Sequence, residues 1–112
     1  MIDSYTFGRM VIEGKSYTKD LTIYPDMVKS PWWRKTGHLL TLSDIDDVLS
    51  KNPDTLIVGT GYMGLMKVDE EVKKYAEDNG INLIIQKSKQ AVQTFNQRHS
   101  KTGVFAAFHL TC

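Results

Sequence analysis

Hydrophobic and polar residues alternate along the first part of the chain, and this spacing predicts β-strands with one buried face. Two such segments, residues 7–12 and 17–24, flank the turn sequence Glu13-Gly14-Lys15. Glycine in the turn and proline after the second segment are typical boundaries of strands. The pattern therefore predicts an N-terminal β-hairpin that ends at Tyr24-Pro25-Asp26.

After an aperiodic loop at residues 29–38, short apolar runs alternate with segments of helical spacing. The runs predict buried strands, and the apolar positions three and four residues apart predict helices with one buried stripe. In chain order the predictions are a strand at 39–42, a helix that begins near Ser43 and ends at Asn52-Pro53, a strand at 55–59, a helix at 69–79, a strand at 81–86, a helix capped by Ser88 and a strand at 104–110. Strands joined by helices imply βαβ units, and the last run is apolar on both faces, which suits an interior strand.

Composition supports one globular domain and narrows the classes of partner. The chain has 112 residues, of which 41% are hydrophobic, and this suits a single domain with a core. Its 14 Lys and Arg against 13 Asp and Glu give a net charge of +1, which argues against binding nucleic acid or anionic membrane through bulk charge. No apolar run approaches the roughly 20 residues that cross a bilayer. The single cysteine, Cys112, excludes an internal disulfide. We expect a soluble, cytoplasmic α/β domain over residues 1–112.

The stretch IVGTGYMG, residues 57–64, contains the spacing G-x-G-x-x-G after an apolar run. This spacing binds a dinucleotide when a helix begins inside the motif and an acidic residue about 20 positions later holds the ribose. Here the best helix start, Asp69, comes after the motif, and the next strand ends in IIQK without a carboxylate. We therefore expect no dinucleotide cofactor. The favoured interpretation is that Gly59 and Gly61 let the chain leave a buried strand in a tight turn.

A second interpretation makes the same glycines part of an anion site. Ligands of open α/β sheets collect at the carboxyl ends of parallel strands. Gly59-Thr60-Gly61 and Lys87-Ser88-Lys89 each follow such a predicted strand, so their backbone amides and ammonium groups would meet at one edge of the sheet. The candidate ligand-binding residues are Gly59, Thr60, Gly61, Lys87, Ser88 and Lys89.

The loop sequence Trp32-Trp33-Arg34-Lys35 is the main candidate for a protein contact. Aromatic side chains beside cations also bind single-stranded nucleic acid, but one such cluster in a nearly neutral chain is weak support for that function. Neighbouring side chains of an extended segment face opposite ways, so one indole should be buried and the other exposed. Because Trp and Arg are enriched at interfaces, we expect a partner protein or a second copy of the chain here, and no nucleic acid.

The histidines form no recognisable catalytic or metal-binding set in the sequence. His38 has no nucleophile or acid paired with it, which favours a structural hydrogen bond. His109-x-x-Cys112 resembles half of a metal site, but the other histidines, His38 and His99, are scattered. We expect no metal ion and assign no catalytic residue.

Several local patterns, taken in order, resemble a known domain family. They are FGRMVIEGKSYTKDLTI, WWRKTGH, LIVGTG, AVQTFN and GVFAAFHL, and they extend from about Ile2 to Leu110. The chain is thereby similar to a small family of unknown biochemical function that includes an adipogenesis-associated domain protein and a mitochondrial assembly factor of respiratory complex I. The resemblance implies a three-layer fold with a central mixed sheet, in which at least one strand runs against its neighbours, and we expect this to be the strand at 104–110. It brings no known active site, and the family's recurring positions here are Trp33, Arg34, Gly37, His38, Gly59, Thr60, Gly61, Thr94 and Asn96.

Two classes of function stay open at this stage. The favoured class is a non-enzymatic protein-interaction or assembly module, which rests on the WWRK loop and on the resemblance to an assembly factor. The alternative is a domain that binds a small molecule or an anion, conceivably an enzyme, at Gly59-Thr60-Gly61 with Lys87 and Lys89 at the rim. A deep polar pocket beside Gly61 would favour the alternative, whereas an exposed apolar patch at the tryptophans would favour the interaction module.

Overall fold

Ten strands and three helices form the chain, and the computed structural model describes every residue from 1 to 112. In chain order the elements are β1 (Ile2–Thr6), β2 (Arg9–Ile12), β3 (Lys15–Tyr17), β4 (Leu21–Tyr24), β5 (Met27–Lys29), β6 (Leu39–Leu40), α1 (Leu42–Leu49), β7 (Thr55–Thr60), β8 (Lys67–Val68), α2 (Glu70–Asp78), β9 (Asn82–Gln86), α3 (Ser88–Arg98) and β10 (Val104–His109). Five strands make a central sheet in the order β5-β4-β10-β7-β9, while β1-β2-β3 and β6-β8 make two smaller sheets. None of the helices is long and apolar enough to cross a membrane.

Strand β10 lies at the centre of the main sheet because both of its faces are apolar. All of its residues are buried, which confirms the predicted interior strand. It runs parallel to β7 but antiparallel to β4. The expectation that residues 104–110 run against their neighbours is therefore wrong on the β7 side. The strand that opposes both of its neighbours is β4, which reaches the sheet from the N-terminal region without the helical crossover that parallel pairing needs.

The central sheet is covered on both faces, which gives the three layers that the resemblance implied. On one face, α1 and α2 cover a core that contains Trp32, Ile45 and Ala76. On the other face, α3 and the small N-terminal sheet cover a second core around Phe95 and Phe108. The α/β class and the mixed central sheet are thus confirmed.

The N-terminal region is more complex than the predicted hairpin. Strands β2 and β3 pair around the Glu13-Gly14 turn as expected, and β1 adds a third strand that was not predicted. The predicted strand at 17–24 is divided: its first part ends the small sheet, and its second part is β4 of the central sheet. Asp20 lies between these two strands, and its carboxylate contacts the side chains of Arg34 and His109.

The N-cap of helix α1 lies two residues earlier than the sequence suggested. Thr41, rather than Ser43, occupies the N-cap position, and its backbone N–H and hydroxyl both donate to the Asp44 carboxylate at 2.9 and 2.8 Å. The predicted strand at 39–42 is consequently shortened to Leu39–Leu40. Helix α2 follows the prediction, with Asp69 as its cap, because its start depends on a local pattern alone.

The adjacent indoles of Trp32 and Trp33 face opposite ways, as predicted. Trp32 keeps only 9% of its surface exposed, and its Nε1 donates to the backbone oxygen of Asp44 in α1 at 2.8 Å. Trp33 remains 73% exposed. Trp32 therefore anchors the loop to α1, while Trp33 stays at the surface.

We predict that Trp32→Ala lowers the free energy of unfolding by about 3–5 kcal/mol, because it leaves a cavity under the loop and removes the indole hydrogen bond. The matched change Trp33→Ala should alter it by no more than about 0.5 kcal/mol. Chemical denaturation followed by circular dichroism measures both. Equal effects of the two substitutions would show that the indoles do not differ in burial.

Candidate functional site

The carboxyl ends of β7 and β10 bring separate loops together. The segment that follows β10 runs between the β1–β2 turn and the loop at residues 61–65. The amide of Gly8 donates to the carbonyl of Leu110 at 2.8 Å. The amide of Tyr62 donates to the carbonyl of Thr111 at 2.7 Å. The backbone after β10 therefore holds both loops in fixed positions side by side.

A buried ion pair between Asp20 and Arg34 lies under this end of the sheet. Arg34 Nη2 is 2.9 Å from Asp20 Oδ2, and the two side chains are 5% and 17% exposed. His109 Nδ1 lies 2.8 Å from the same oxygen, and the Leu110 amide donates to Oδ1 at 2.8 Å. Burial alone would raise the pKa of Asp20, but the groups that donate to the carboxylate outweigh it and hold the pKa below its ordinary value.

Arg34 also anchors the tryptophan loop. Its Nε and Nη2 donate to the carbonyl of Gly37 at 3.2 and 2.9 Å, and the guanidinium carbon lies 4.8 Å from the Trp32 ring centroid. Trp33 is thus placed between two neighbours that are both bound to the body of the protein. The exposed indole is held at this end of the sheet by Asp20, through Arg34.

His38 contacts His109 through its ring instead of through the hydrogen bond that the sequence suggested. The two ring centroids are 5.7 Å apart in an edge-on arrangement, and the hydrogen bond from Lys67 goes to the His38 backbone carbonyl. His109 Nδ1 is 2.8 Å from Asp20 Oδ2, which can only accept, and 3.1 Å from Arg34 Nη2, which can only donate. The shorter contact favours a proton on Nδ1 that is donated to Asp20, and Arg34 Nη2 then donates to Asp20 and to the Gly37 carbonyl. His109 Nε2 and Arg34 Nη1 are buried without a protein partner. No three His, Cys, Asp or Glu side chains are grouped to hold a metal ion.

Four large apolar side chains are exposed on the loops above this buried cluster. Phe7 and Tyr62 lie edge-on with ring centroids 6.0 Å apart, and Met63 and Leu65 belong to the same loop as Tyr62. We call these four residues the apolar rim. Tyr5 lies beneath it, 6.4 Å from the Tyr62 ring, and burial raises its pKa to about 12.

Trp33 lies at the same end of the sheet as the apolar rim. It lines a depression of about 210 Å³ together with Asp20 and Thr111. Thr111 is also the residue whose carbonyl binds Tyr62, so the segment after β10 separates Trp33 from the rim. Trp33 and Tyr62 thus both lie beside the segment after β10.

Ser88 and Gly61, two of the candidate anion-binding residues, are hydrogen-bonded to each other. Ser88 is the first residue of α3 rather than its cap, and its side chain is fully buried. The Gly61 amide donates to Ser88 Oγ at 2.9 Å, and the Ser88 amide donates to the Gly61 carbonyl at 3.0 Å. Ser88 Oγ in turn donates to the His109 carbonyl at 2.6 Å. These groups join α3 to β7 and β10.

The other members of the glycine motif also serve packing. A Cβ on Gly59 would lie 2.5 Å from the Phe108 ring and 2.8 Å from Ser88 Oγ, so only glycine fits between the sheet and α3. The Thr60 hydroxyl donates to the Gln86 carbonyl at 3.1 Å. The late start of α2 at Glu70, well after the motif, agrees with the sequence prediction.

The structure does bring the two candidate lysines to the glycine loop. Lys87 and Lys89 line an open depression of about 340 Å³ with Tyr62, Gln90 and Gln93. The amide of Gly61 is already bound to Ser88, so an anion there would depend on the lysine side chains. The depression is open to solvent, so it is not the deep polar pocket that would have favoured the alternative function.

Two further positions singled out by the resemblance have structural contacts. The Asn96 side chain donates to the Ile2 carbonyl and accepts from the Ile2 amide, both at 2.8 Å. Thr94 donates its hydroxyl hydrogen to the side-chain oxygen of Gln86 at 2.7 Å. They fasten β1 and β9 to α3.

Asp20 was not singled out in the sequence, and His109 was considered only as half of a metal site and not as a partner of Asp20. Asp20 lies in an alternating segment that looked like one strand, and His109 lies in an apolar run. The two are 89 positions apart, and no spacing in the sequence indicates their contact.

We predict that Gly61→Ala destabilises the protein by about 2 kcal/mol or more. Gly61 has a φ of +108°, and a Cβ there would meet the Cys112 backbone and lie 2.8 Å from His109 Cδ2. The control is Gly14→Ala, since Gly14 has a φ of +79° but nothing within 4 Å of a Cβ. It should cost only the conformational part, about 1 kcal/mol. Denaturant unfolding measures the stability loss of both variants, and equal losses would show that the close contacts at Gly61 do not contribute to its effect.

We predict that Asp20→Asn lowers the free energy of unfolding by about 3 kcal/mol at pH 7, because it leaves the buried guanidinium of Arg34 without its counter-ion. A carboxylate with a lowered pKa stabilises the fold above its ordinary value of 3.8 and loses that contribution as pH falls through the folded pKa. The difference between wild type and variant should therefore shrink below pH 3.8.

The double variant Asp20→Asn, Arg34→Met should lose less stability than the sum of the two single changes, since it removes both charges. Denaturant unfolding between pH 2 and 7 measures all four proteins. A difference that does not depend on pH would show that the carboxylate charge is not responsible.

Comparison with known proteins gives the chain a family and supports the fold. A family model described as a protein of unknown function (DUF498/DUF598) matches residues 2–109. Conserved hypothetical protein PH1505 from Pyrococcus horikoshii OT3 is 28% identical, with a TM-score of 0.86 over 100% of this chain and 99% of the other. XCC1710 of Xanthomonas campestris is 20% identical (TM-score 0.84, 98% and 83% covered). An outer membrane protein from Bartonella henselae is 24% identical (TM-score 0.81, 99% and 94% covered), and at these two identities the likeness concerns the fold alone. The chain belongs to the DUF498/DUF598 family of proteins of unknown function.

Proposed function

We propose that this chain is a protein-interaction module whose contact surface is the apolar rim together with Trp33. Eight large apolar side chains are exposed in the whole chain, and five of them lie at this end of the sheet: Phe7, Trp33, Tyr62, Met63 and Leu65. A small protein that exposes such a group in water gains from having it covered. Trp, Tyr, Phe and Met are also the side chains enriched at the centres of protein interfaces.

The surface is held in one arrangement before any partner binds. Arg34 fixes the loop of Trp33, and the segment after β10 fixes Tyr62 and the turn that carries Phe7. A contact surface that is already ordered loses less conformational entropy on binding than a mobile one. Membership of a family that also contains an assembly factor is compatible with this function.

A second candidate function is the binding of a small anion at the depression of Tyr62, Lys87 and Lys89. One observation favours it: the depression has two ammonium groups and no carboxylate in its lining. Because the Gly61 amide is bound to Ser88, the site would depend on the lysines and on solvent-exposed groups. We favour the interaction module because binding an anion at the lysines would not explain the exposure of Phe7, Trp33 and Met63.

We predict that Trp33→Ser and Tyr62→Ser each strongly reduce the capture of partner proteins without changing the fold. The test is cross-linking in cells followed by quantitative mass spectrometry of proteins attached to each variant. Loss of an aromatic residue at the centre of an interface costs about 2 kcal/mol or more, which is roughly a thirtyfold loss of affinity.

The matched control is Met27→Ser, since Met27 is exposed at the opposite end of the sheet. It should capture the same proteins as wild type. Analytical ultracentrifugation in parallel identifies self-association. If wild type and all three variants capture the same set of proteins, the apolar rim has no role in binding.

A further inference from the structure

The depression beside the apolar rim has an uncompensated positive charge. It is lined by Tyr62, Lys87, Lys89, Gln90 and Gln93, and contains no acidic side chain. The salt bridges of the protein involve the N-terminal amine with Glu13, Arg34 and His109 with Asp20, Lys73 with Glu70 and Lys74 with Asp78. Lys87 and Lys89 belong to none of them. Both ammonium groups are therefore available to a partner.

The position of Lys87 joins this charge to the apolar rim. Its side chain lies along the loop that carries Tyr62, Met63 and Leu65: a Cβ on Gly64 would be 3.0 Å from Lys87 Cγ and 3.3 Å from its Cε. The methylene groups of lysine cover the loop, while the ammonium group reaches solvent at its edge. The cationic and apolar surfaces are thus continuous.

We propose that the segment of the partner protein that binds the apolar rim is acidic, and that it places a carboxylate between Lys87 and Lys89 while an adjacent apolar side chain packs on Tyr62. This inference rests on the proposed function and names the chemistry of the partner. A carboxylate would form ion pairs with the two ammonium groups, and the apolar side chain would pack against Tyr62, Met63 and Leu65. Charges at the edge of an interface act mainly on specificity and on the association rate.

Two other occupants fit the surface less well. In a symmetric contact with a second copy, the same patch meets itself, and neither the apolar rim nor the lining of the depression offers a carboxylate to Lys87 and Lys89. A small inorganic anion would neutralise the charge of the two lysines but leave the apolar rim exposed to water. An acidic segment with an apolar side chain satisfies both parts.

The test uses a displayed library of random 15-residue peptides, selected against the full-length protein. We expect the selected peptides to carry Asp or Glu within a few positions of an aromatic or aliphatic residue. The double variant Lys87→Gln, Lys89→Gln should bind them about tenfold more weakly, and raising the salt concentration should reduce the difference. The control Lys51→Gln, Lys101→Gln removes two exposed lysines that precede β7 and β10, at the other end of the sheet, and should bind like wild type.

Each outcome decides a different question. Selected peptides that depend on Tyr62 but contain no acidic residue, or bind the Lys87→Gln, Lys89→Gln variant as well as wild type, overturn this inference and leave the proposed function standing. Peptides insensitive to both Tyr62→Ser and the lysine variant count against both proposals. Failure to select any peptide overturns the inference. Inorganic phosphate can also be titrated while the NMR amide signals of residues 87–89 are followed. If these signals shift to saturation and bound peptide does not compete with phosphate, the lysines form a small-anion site and the inference is overturned.

Discussion

One largely buried carboxylate determines how the carboxyl end of this sheet is built. Asp20 binds the guanidinium of Arg34, the imidazole of His109 and the amide of Leu110, which belong to the tryptophan loop and to the end of β10. A buried charge that loses its partners costs several kcal/mol, so these segments must come together in one arrangement. The position of the exposed surface depends on that arrangement, because the backbone after Leu110 accepts a hydrogen bond from the Tyr62 amide and so holds the loop of Tyr62.

The glycine motif illustrates how one sequence spacing can serve different structures. In a dinucleotide-binding fold, G-x-G-x-x-G leaves backbone amides free for a phosphate. Here the same spacing allows α3 to approach the sheet at Gly59 and lets the chain turn with a positive φ at Gly61. The decisive difference is Ser88, whose buried hydroxyl accepts the Gly61 amide hydrogen. Glycine spacing is therefore informative only together with the residues that face it.

Much of the fold was predictable because it follows from local patterns. The interior position of β10 could be read from an apolar run, and α2 from its spacing and its cap at Asp69. The opposite orientation of Trp32 and Trp33 follows from the alternation of side chains in an extended segment. Each of these features depends on residues that are close together in the sequence.

The features that could not be predicted depend on contacts between distant segments. The direction of β4 relative to β10 is a property of chain connection rather than of side-chain pattern. Ser88 has the residue type of a cap, but it is buried under Gly61 once the sheet forms. The contact between Asp20 and His109 joins positions 89 residues apart. The sequence therefore indicated the part of the candidate surface at Trp33. It did not indicate the apolar rim, because residues 7 and 62–65 come together only in the folded chain.

The central claim is that partners bind at the carboxyl end of the sheet. The most direct measurement is amide hydrogen exchange of the full-length protein, with and without a partner protein that wild type captures in the cross-linking experiment. We predict increased protection at the β1–β2 turn, in the tryptophan loop and in the loop at residues 61–65. Protection confined to the other large depression, of about 410 Å³ and lined by Leu42, Leu49 and Tyr75 of α1 and α2, would contradict the account.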